Sequence, residues 1–86
     1  MSISHSIDPK IQFGLRLREL RLIAGLSQEA LADRAGLDRT YISSCERGRR
    51  NASLEALHKL SGALGVEASS LLETPGSASH GGLSDA

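Results

Sequence analysis

The segment from Gln28 to Glu46 limits the possible folds of this chain more than any other, because its pattern predicts two short helices joined by a glycine turn. Ala32 lies four residues before Gly36, where a small side chain lets two helices approach closely. Gly36 suits a turn that needs a positive φ angle, which glycine adopts without steric cost. Ile42, six residues after the glycine, can anchor the second helix in an apolar core. The pattern therefore predicts two helices packed across a tight turn.

Capping signals and apolar spacing predict further helices around this pair. Asp8 followed by Pro9 predicts the start of a first helix, and Ser53 predicts the start of a fourth. Ser27 and Asp38 are expected to cap the second and third helices. The residues predicted to face inward from the first and fourth helices are Phe13, Leu17, Leu20, Ala24, Leu54, Leu57, Leu60 and Leu64.

A short fifth helix at 68–72 completes an all-α prediction. Only 2% of the residues are aromatic, so leucine, isoleucine and alanine must build the core, which suits a small helical bundle. The folded domain is predicted to span 9–73, with the paired helices at 28–46. A flexible segment at 1–8 is expected to precede it, and a glycine-rich disordered tail at 74–86 to follow it.

The formal net charge of zero conceals two basic clusters. Four basic residues oppose Glu19 between positions 10 and 21, and five arginines oppose Asp38 and Glu46 between positions 34 and 50, so each cluster carries a net +3. Residues 51–86 carry a net −3. A solvated helix face is one interpretation of these charges. Because the second cluster coincides with the second helix of the pair, the pattern favours a nucleic-acid partner.

Four side chains of that second helix are predicted to face outward and contact base edges in a DNA major groove: Arg39, Thr40, Ser43 and Ser44. Arg39 is expected to contribute most, since its guanidinium can pair with guanine O6 and N7, although an ion pair with Asp38 or Glu46 is the alternative. Contacts to the DNA backbone are expected from Gln28, Tyr41, Arg47, Arg49, Arg50 and Asn51. The alternatives are a tyrosine ring packed on the domain surface, a plain helix-start glutamine, and solvated side chains at Arg49 and Arg50. For Ser43 and Ser44 the alternative is a phosphate contact, or a close approach to DNA, in place of base recognition.

Several of these segments resemble the phage repressor and Cro-like (XRE-type) helix-turn-helix family. The similarity covers about 13–72 and rests on LRELR at 17–21, GLSQEALADRAGL at 25–37 and ERGRRNASLEAL at 46–57. Within the family, LDRTYISSCERGRRN at 37–51 is most similar to controller proteins of restriction–modification systems. The resemblance implies a compact five-helix lambda-repressor-like domain that binds an operator in double-stranded DNA as a symmetric homodimer.

The resemblance also implies roles for individual residues. Arg21 and Glu46 are expected to form a structural ion pair that fixes the recognition helix, and Arg21 is also a candidate for a phosphate contact. Cys45 stands where the family usually has a larger aliphatic residue, and it is interpreted as a buried core residue rather than a redox sensor. The dimer interface is expected on the fourth and fifth helices, at Leu64, Val66, Leu71 and Leu72, although some of these four must serve the domain's own core instead.

Together these features predict a sequence-specific transcriptional regulator, either a repressor or an autoregulatory controller. The antitoxin of a toxin–antitoxin pair, or a protein-interaction module that keeps the fold without the DNA role, are the alternatives. The three histidines lie far apart and no nucleophile–base pair emerges, so no enzyme activity, metal, cofactor or small-molecule effector is expected. A single cysteine and the lack of an apolar run of roughly 20 residues favour a cytoplasmic protein without a membrane partner.

Overall fold

The computed structural model describes residues 8–76, which form four α-helices and one 3₁₀ helix. The α-helices are α1 (Pro9–Ile23), α2 (Gln28–Ala35), α3 (Arg39–Glu46) and α4 (Leu54–Leu64), and the 3₁₀ helix spans Ala68–Leu72. No strand occurs between residues 8 and 76, so the all-α prediction is confirmed. The fifth helix is 3₁₀ rather than α, because five residues complete few of the hydrogen bonds that stabilise an α-helix.

Three of the four predicted side-chain caps form. Asp8, Ser27 and Ser53 each accept a hydrogen bond from a backbone N–H two or three residues later, at 2.8, 3.0 and 3.0 Å. Asp38 occupies the N-cap position of α3 with an extended backbone, but its carboxylate accepts no capping hydrogen bond. The position predicted for Asp38 is therefore confirmed, and its predicted side-chain cap is wrong.

The turn between α2 and α3 has the predicted conformation. Gly36 has a φ of 70° in the left-handed region, which glycine adopts without strain. The N–H of Leu37 donates to the carbonyl of Ala32 at 2.9 Å and so satisfies one of the carbonyls at the end of α2. This turn fixes the direction in which α3 leaves α2.

A single apolar core lies between the helices, and its fully buried aliphatic residues are Leu17, Leu31, Ile42, Leu60 and Leu71. Two residues predicted to face inward are exposed. Ala24 lies beyond the last residue of α1, at its C-cap. Leu54 keeps 77% of its surface exposed, because it lies two residues, or about 200° around the helix, from the buried Ala56.

A buried arginine fastens the 3₁₀ helix to α1. Arg16 donates from Nε to the carbonyl of Ser70 at 2.7 Å and from Nη2 to Glu73 at 2.9 Å. Its Nη1 donates to Glu19 at 3.0 Å, and Glu19 accepts two contacts from the N–H of Gly76 at 2.8 and 2.9 Å. The chain thus stays packed against α1 beyond the predicted domain boundary at 73.

The predictions for the two ends of the chain fall largely outside the described residues. Positions 1–7 and 77–86 lie beyond the part that the structure describes, so the flexible start and the disordered tail stay predictions there. Within 8–76, no helix combines the length and the apolar character that crossing a bilayer requires.

Candidate nucleic-acid interface

The first turn of α3 presents Arg39 and Thr40 to solvent. None of the ion pairs found within residues 8–76 involves Arg39, so its predicted alternative partners, Asp38 and Glu46, do not hold it. Glu46 lies seven residues away at the other end of the helix, where Arg21 occupies it. The Arg39 guanidinium is therefore available for a planar acceptor pair such as guanine O6 and N7.

The two serines of α3 lie less far outward than predicted. Ser43 is only 9% exposed, and its Oγ accepts a hydrogen bond from Arg47 Nη1 at 2.8 Å. The outward orientation predicted for Ser43 is therefore incorrect. Because α3 packs against both α1 and α2, its buried sector is wide enough to include the neighbour of Ile42. Ser44 is half-buried at the edge of that sector.

Tyr41 links α3 to the loop that follows it. Its ring packs against the core cluster, and its hydroxyl oxygen accepts a hydrogen bond from the N–H of Ser53 at 3.2 Å. Arg50 lies over the ring, with Cζ 4.8 Å from the ring centroid, in cation–π geometry. The ring is thus packed on the domain surface, the alternative given above, while the hydroxyl keeps a proton that it can donate to a phosphate.

Three polar side chains meet at the C-terminal end of α3. Arg21 and Glu46 form a two-bond ion pair, from Nε to Oε2 at 2.6 Å and from Nη2 to Oε1 at 2.9 Å. Gln28, the first residue of α2, donates from Nε2 to the same Glu46 Oε1 at 3.0 Å. Hydrogen bonding to Glu46 raises the pKa of Arg21, in opposition to the effect of burial. The sequence interpretation kept Gln28 apart from this pair, whereas the structure joins all three.

The loop after α3 supplies a run of exposed basic and polar residues: Arg47, Arg49, Arg50 and Asn51. Gly48 within this loop has a φ of 74° and lies against Ile11 of α1. Exposed arginine and asparagine side chains commonly donate to phosphate oxygens, so this loop has the chemistry of a backbone-binding segment.

The first basic cluster contributes less to the surface than its charge suggests. Arg16 and Arg21 are buried in ion pairs, and Lys10 pairs with Asp8 at 3.4 Å. Arg18 is the exposed member that enters none of the ion pairs found in the described part of the chain. Exposed positive charge is therefore concentrated on α3 and the loop after it.

Gly14 of α1, which the sequence interpretation overlooked, allows the backbones of α1 and α3 to lie very close together. A Cβ on Gly14 of α1 would overlap the carbonyl oxygen of Cys45 and lie 2.9 Å from that of Glu46. The available signal was a glycine inside an apolar helical pattern, which often marks a close approach of backbones. The last turn of α3 therefore lies directly on the backbone of α1.

The four residues predicted for the dimer interface differ in accessibility. Leu71 has no exposed surface and belongs to the core of its own chain, which excludes it from a contact surface. Leu64 and Val66 are half-buried against the core. Leu72 is 61% exposed and borders a shallow cavity of about 130 Å³ that Pro9, Gln12 and Phe13 also line.

Cys45 lies in the core below α3. It has no exposed surface, and burial raises the pKa of its thiol to about 11. Since the thiolate is the reactive form, a thiol in this environment reacts slowly. No group of histidine, cysteine, aspartate or glutamate side chains between residues 8 and 76 could hold a metal ion.

Comparison with known proteins gives matches over most of the described region. A family model for the helix-turn-helix matches residues 17–71. Control protein C.MunI of Mycoplasma sp is 51% identical over 65 residues, covering 74% of this chain and 88% of that protein. Control protein C.BamHI of Bacillus amyloliquefaciens is 48% identical over 65 residues, covering 74% and 80%.

A solved structure also matches closely. The restriction–modification controller protein C.AhdI from Aeromonas hydrophila superposes with a TM-score of 0.71 at 53% identity, covering 72% of this chain and 94% of that one. Sequence and structure thus give similarity to the same class of protein.

Proposed function

The chain belongs to the helix-turn-helix family and is a DNA-binding transcription regulator, and on this premise we propose that it binds its operator as a homodimer. We propose further that it acts as an autoregulatory controller of the kind named in its relatives, in a restriction–modification system. Because operator DNA is the proposed target, we also propose that the protein acts in the cytoplasm. The family and the relatives are DNA-binding regulators rather than enzymes.

One observation carries the proposed mode of DNA binding. Arg39 and Thr40 project from the first turn of α3, while Glu46 at the other end of the same helix is fixed to both α1 and α2. In helix-turn-helix domains the N-terminal part of the second helix enters the major groove. A rigidly held helix with an unengaged arginine at that end supports base recognition by Arg39 and Thr40, with Ser44 beside them.

Contacts to the DNA backbone are proposed for the residues that surround this helix. Arg47, Arg49, Arg50 and Asn51 are exposed in the loop after α3, and Tyr41 can donate its hydroxyl proton. Gln28 lies at the N-terminus of α2, where free backbone N–H groups favour a phosphate. Such contacts fix the register of the protein on DNA and carry little sequence information.

The homodimer is proposed because two copies of so small a domain are needed to read a long site. Leu72 supports an interface at the 3₁₀ helix, since this large apolar side chain is exposed beside a cavity with the apolar walls of Pro9 and Phe13. Leu64 and Val66 are half-buried and lie close to Leu72 in the sequence, and they would lie at the margin of this interface. A two-fold symmetric pair of α3 helices would meet half-sites about one helical turn apart.

Selection of bound duplexes from a random DNA library tests this function. We expect enrichment of a two-fold symmetric site whose half-sites lie about 10 base pairs apart centre to centre, with affinity that falls steeply as salt rises. Failure to enrich any sequence, or binding that is insensitive to salt, would contradict the proposal. A symmetric site upstream of a neighbouring restriction or methyltransferase gene would support the controller role.

The dimer is tested separately by measuring the molar mass of Leu72→Glu in solution. A buried carboxylate in an apolar interface is costly, so this variant should be monomeric where the unmodified chain is dimeric. Ile23→Glu provides a matched control, because Ile23 is 64% exposed, close to the 61% of Leu72, but lies at the end of α1. Equal masses for Leu72→Glu and the unmodified dimer would exclude Leu72 from the interface.

A further inference from the structure

Helix α1 has apolar residues on two faces, which is unusual for a helix at the surface of a small domain. Its inner face, with Phe13, Leu17 and Leu20, is buried in the core. Ile11, Leu15 and Leu22 lie on the outer face and keep 45%, 46% and 54% of their surface exposed. A surface helix normally presents polar side chains to water, so this outer face lacks the composition that solvation alone would favour.

The exposed side chains form one continuous stripe. Positions 11, 15, 18 and 22 are spaced by four, three and four residues, which places them on one side of an α-helix over roughly 17 Å. Arg18 lies inside the stripe and enters no ion pair within residues 8–76. The adjacent Glu19 does not neutralise it, because Arg16 and the N–H of Gly76 already occupy that carboxylate.

We propose that this stripe is a docking surface for an amphipathic helix of another protein, one that carries an apolar ridge and an acidic residue opposite Arg18. The spacing of the apolar side chains matches the ridge of a second helix laid along the first. Arg18 supplies a positive charge within the stripe, and an acidic residue on the incoming helix would form an ion pair with it.

A second copy of this chain fits the stripe poorly. Antiparallel pairing of two α1 helices about the centre of the stripe sets each Arg18 against a Leu15 of the other copy. Parallel pairing sets Arg18 directly against Arg18. Either arrangement removes two arginines from water without an acidic partner, which opposes association. The stripe therefore favours a partner of different sequence.

The C-terminal segment of the same chain is also a poor occupant. It departs from Gly76, which Glu19 holds beside the stripe, and Leu83 is its one large apolar residue. Fixing the backbone of one residue costs conformational free energy, and this cost is roughly half or more of the free energy gained by burying one leucine side chain. The six residues that link Gly76 to Leu83 would thus cost about three times the gain from Leu83.

The test uses the full chain and two synthetic helical peptides of the same leucine pattern, which differ by glutamate or lysine at the position opposite Arg18. We expect the glutamate peptide to shift the methyl NMR signals of Ile11, Leu15 and Leu22 and to bind about fivefold more tightly than the lysine peptide. The variant Arg18→Glu should reverse this preference. Leu15→Ser should weaken both peptides by about tenfold, with unchanged signals from the buried leucines as the control for folding.

Several results would overturn the proposal. They are the absence of methyl shifts, equal binding of the two peptides, or a preference that Arg18→Glu leaves unchanged. A lower molar mass of Leu15→Ser in solution would assign the stripe to a second copy. Nuclear Overhauser contacts from residues 1–7 or 77–86 to the three methyl groups would assign it to the chain's own ends. None of these readouts involves DNA, so each outcome is independent of operator binding.

Discussion

Glu46 accepts both bonds of a forked ion pair from Arg21, at 2.6 and 2.9 Å, and this pair fixes the C-terminal end of α3 to α1. Gln28 adds a third bond to the same carboxylate from the start of α2. Because a short helix is held at this end by two neighbouring helices, the direction in which its first turn points is also set. The ion pair thus helps to set the direction in which Arg39 points.

Loss of the Glu46 carboxylate should destabilise the domain strongly. In Glu46→Ala the Arg21 guanidinium, whose side chain is 9% exposed, stays buried without its partner. The free energy of unfolding in urea should fall by about 3–5 kcal/mol. Glu55→Ala is the matched control, because that residue is 80% exposed and lies 3.7 Å from Lys59. The control should change stability by less than about 1 kcal/mol, and similar losses in both variants would contradict a stabilising role for the buried pair.

Arg39 and Gln28 should affect DNA binding in different ways. Arg39→Ala removes a guanidinium that can pair with a guanine, so binding to the selected operator should weaken by about 1–3 kcal/mol while binding to random duplexes changes little. Gln28→Ala should weaken both by a similar factor, since phosphate contacts are insensitive to sequence. Affinities measured on both duplexes, with urea unfolding as a check on the Gln28 variant, separate the two roles. Uniform loss for Arg39→Ala would rule out base recognition by that residue.

Local signals in the sequence are sufficient for most of the fold. The caps at Ser27 and Ser53 and the glycine turn at Gly36 depend on residues within a few positions of one another. The orientation of Ser43 depends instead on two helices that pack on α3 from different sides. A periodicity argument assumes one buried stripe for each helix, and therefore it placed Ser43 outside.

Long-range pairing is the other part that the sequence leaves open. Arg16 counted as a member of a basic cluster, and only the fold brings it to Ser70 and Glu73, more than 50 residues away. Charge in a sequence does not distinguish a solvated arginine from one that fastens two elements together. The sequence likewise does not separate a leucine in the core from a leucine in an interface, and only the fold shows that Leu71 belongs to the core.

The helices of residues 8–76 contain two glycines, Gly14 and Gly62, and substitution by alanine should change stability in opposite directions at these two positions. Gly14→Ala sets a methyl group against the backbone carbonyls of Cys45 and Glu46, which cannot rotate away. Stability should fall by about 1–3 kcal/mol despite the better helix propensity of alanine. A Cβ on Gly62 meets nothing within 4 Å, so Gly62→Ala should gain about 0.5–1 kcal/mol. Urea unfolding of both variants checks this, and a stabilising Gly14→Ala would refute the close contact between α1 and α3.

Glu19 should make the stability of the domain depend on pH at the acidic end. The N–H of Gly76 and the guanidinium of Arg16 both donate to its carboxylate, and they lower the pKa of Glu19 from the ordinary value of 4.5. A carboxyl whose pKa is lower in the folded state than in the unfolded state stabilises the fold above the unfolded value. That contribution is lost as the pH falls below 4.5 and through the folded pKa.

Substitution of Glu19 by glutamine isolates this effect. Glu19→Gln cannot titrate, so between about pH 6 and about pH 3 it should lose less stability than the unmodified chain. The control is Glu55→Gln, which removes a carboxylate that is 80% exposed and should leave the pH dependence unchanged. Urea midpoints across the pH range give the comparison. Parallel curves for Glu19→Gln and the unmodified chain would show that the contact between Gly76 and Glu19 does not hold the end of the domain.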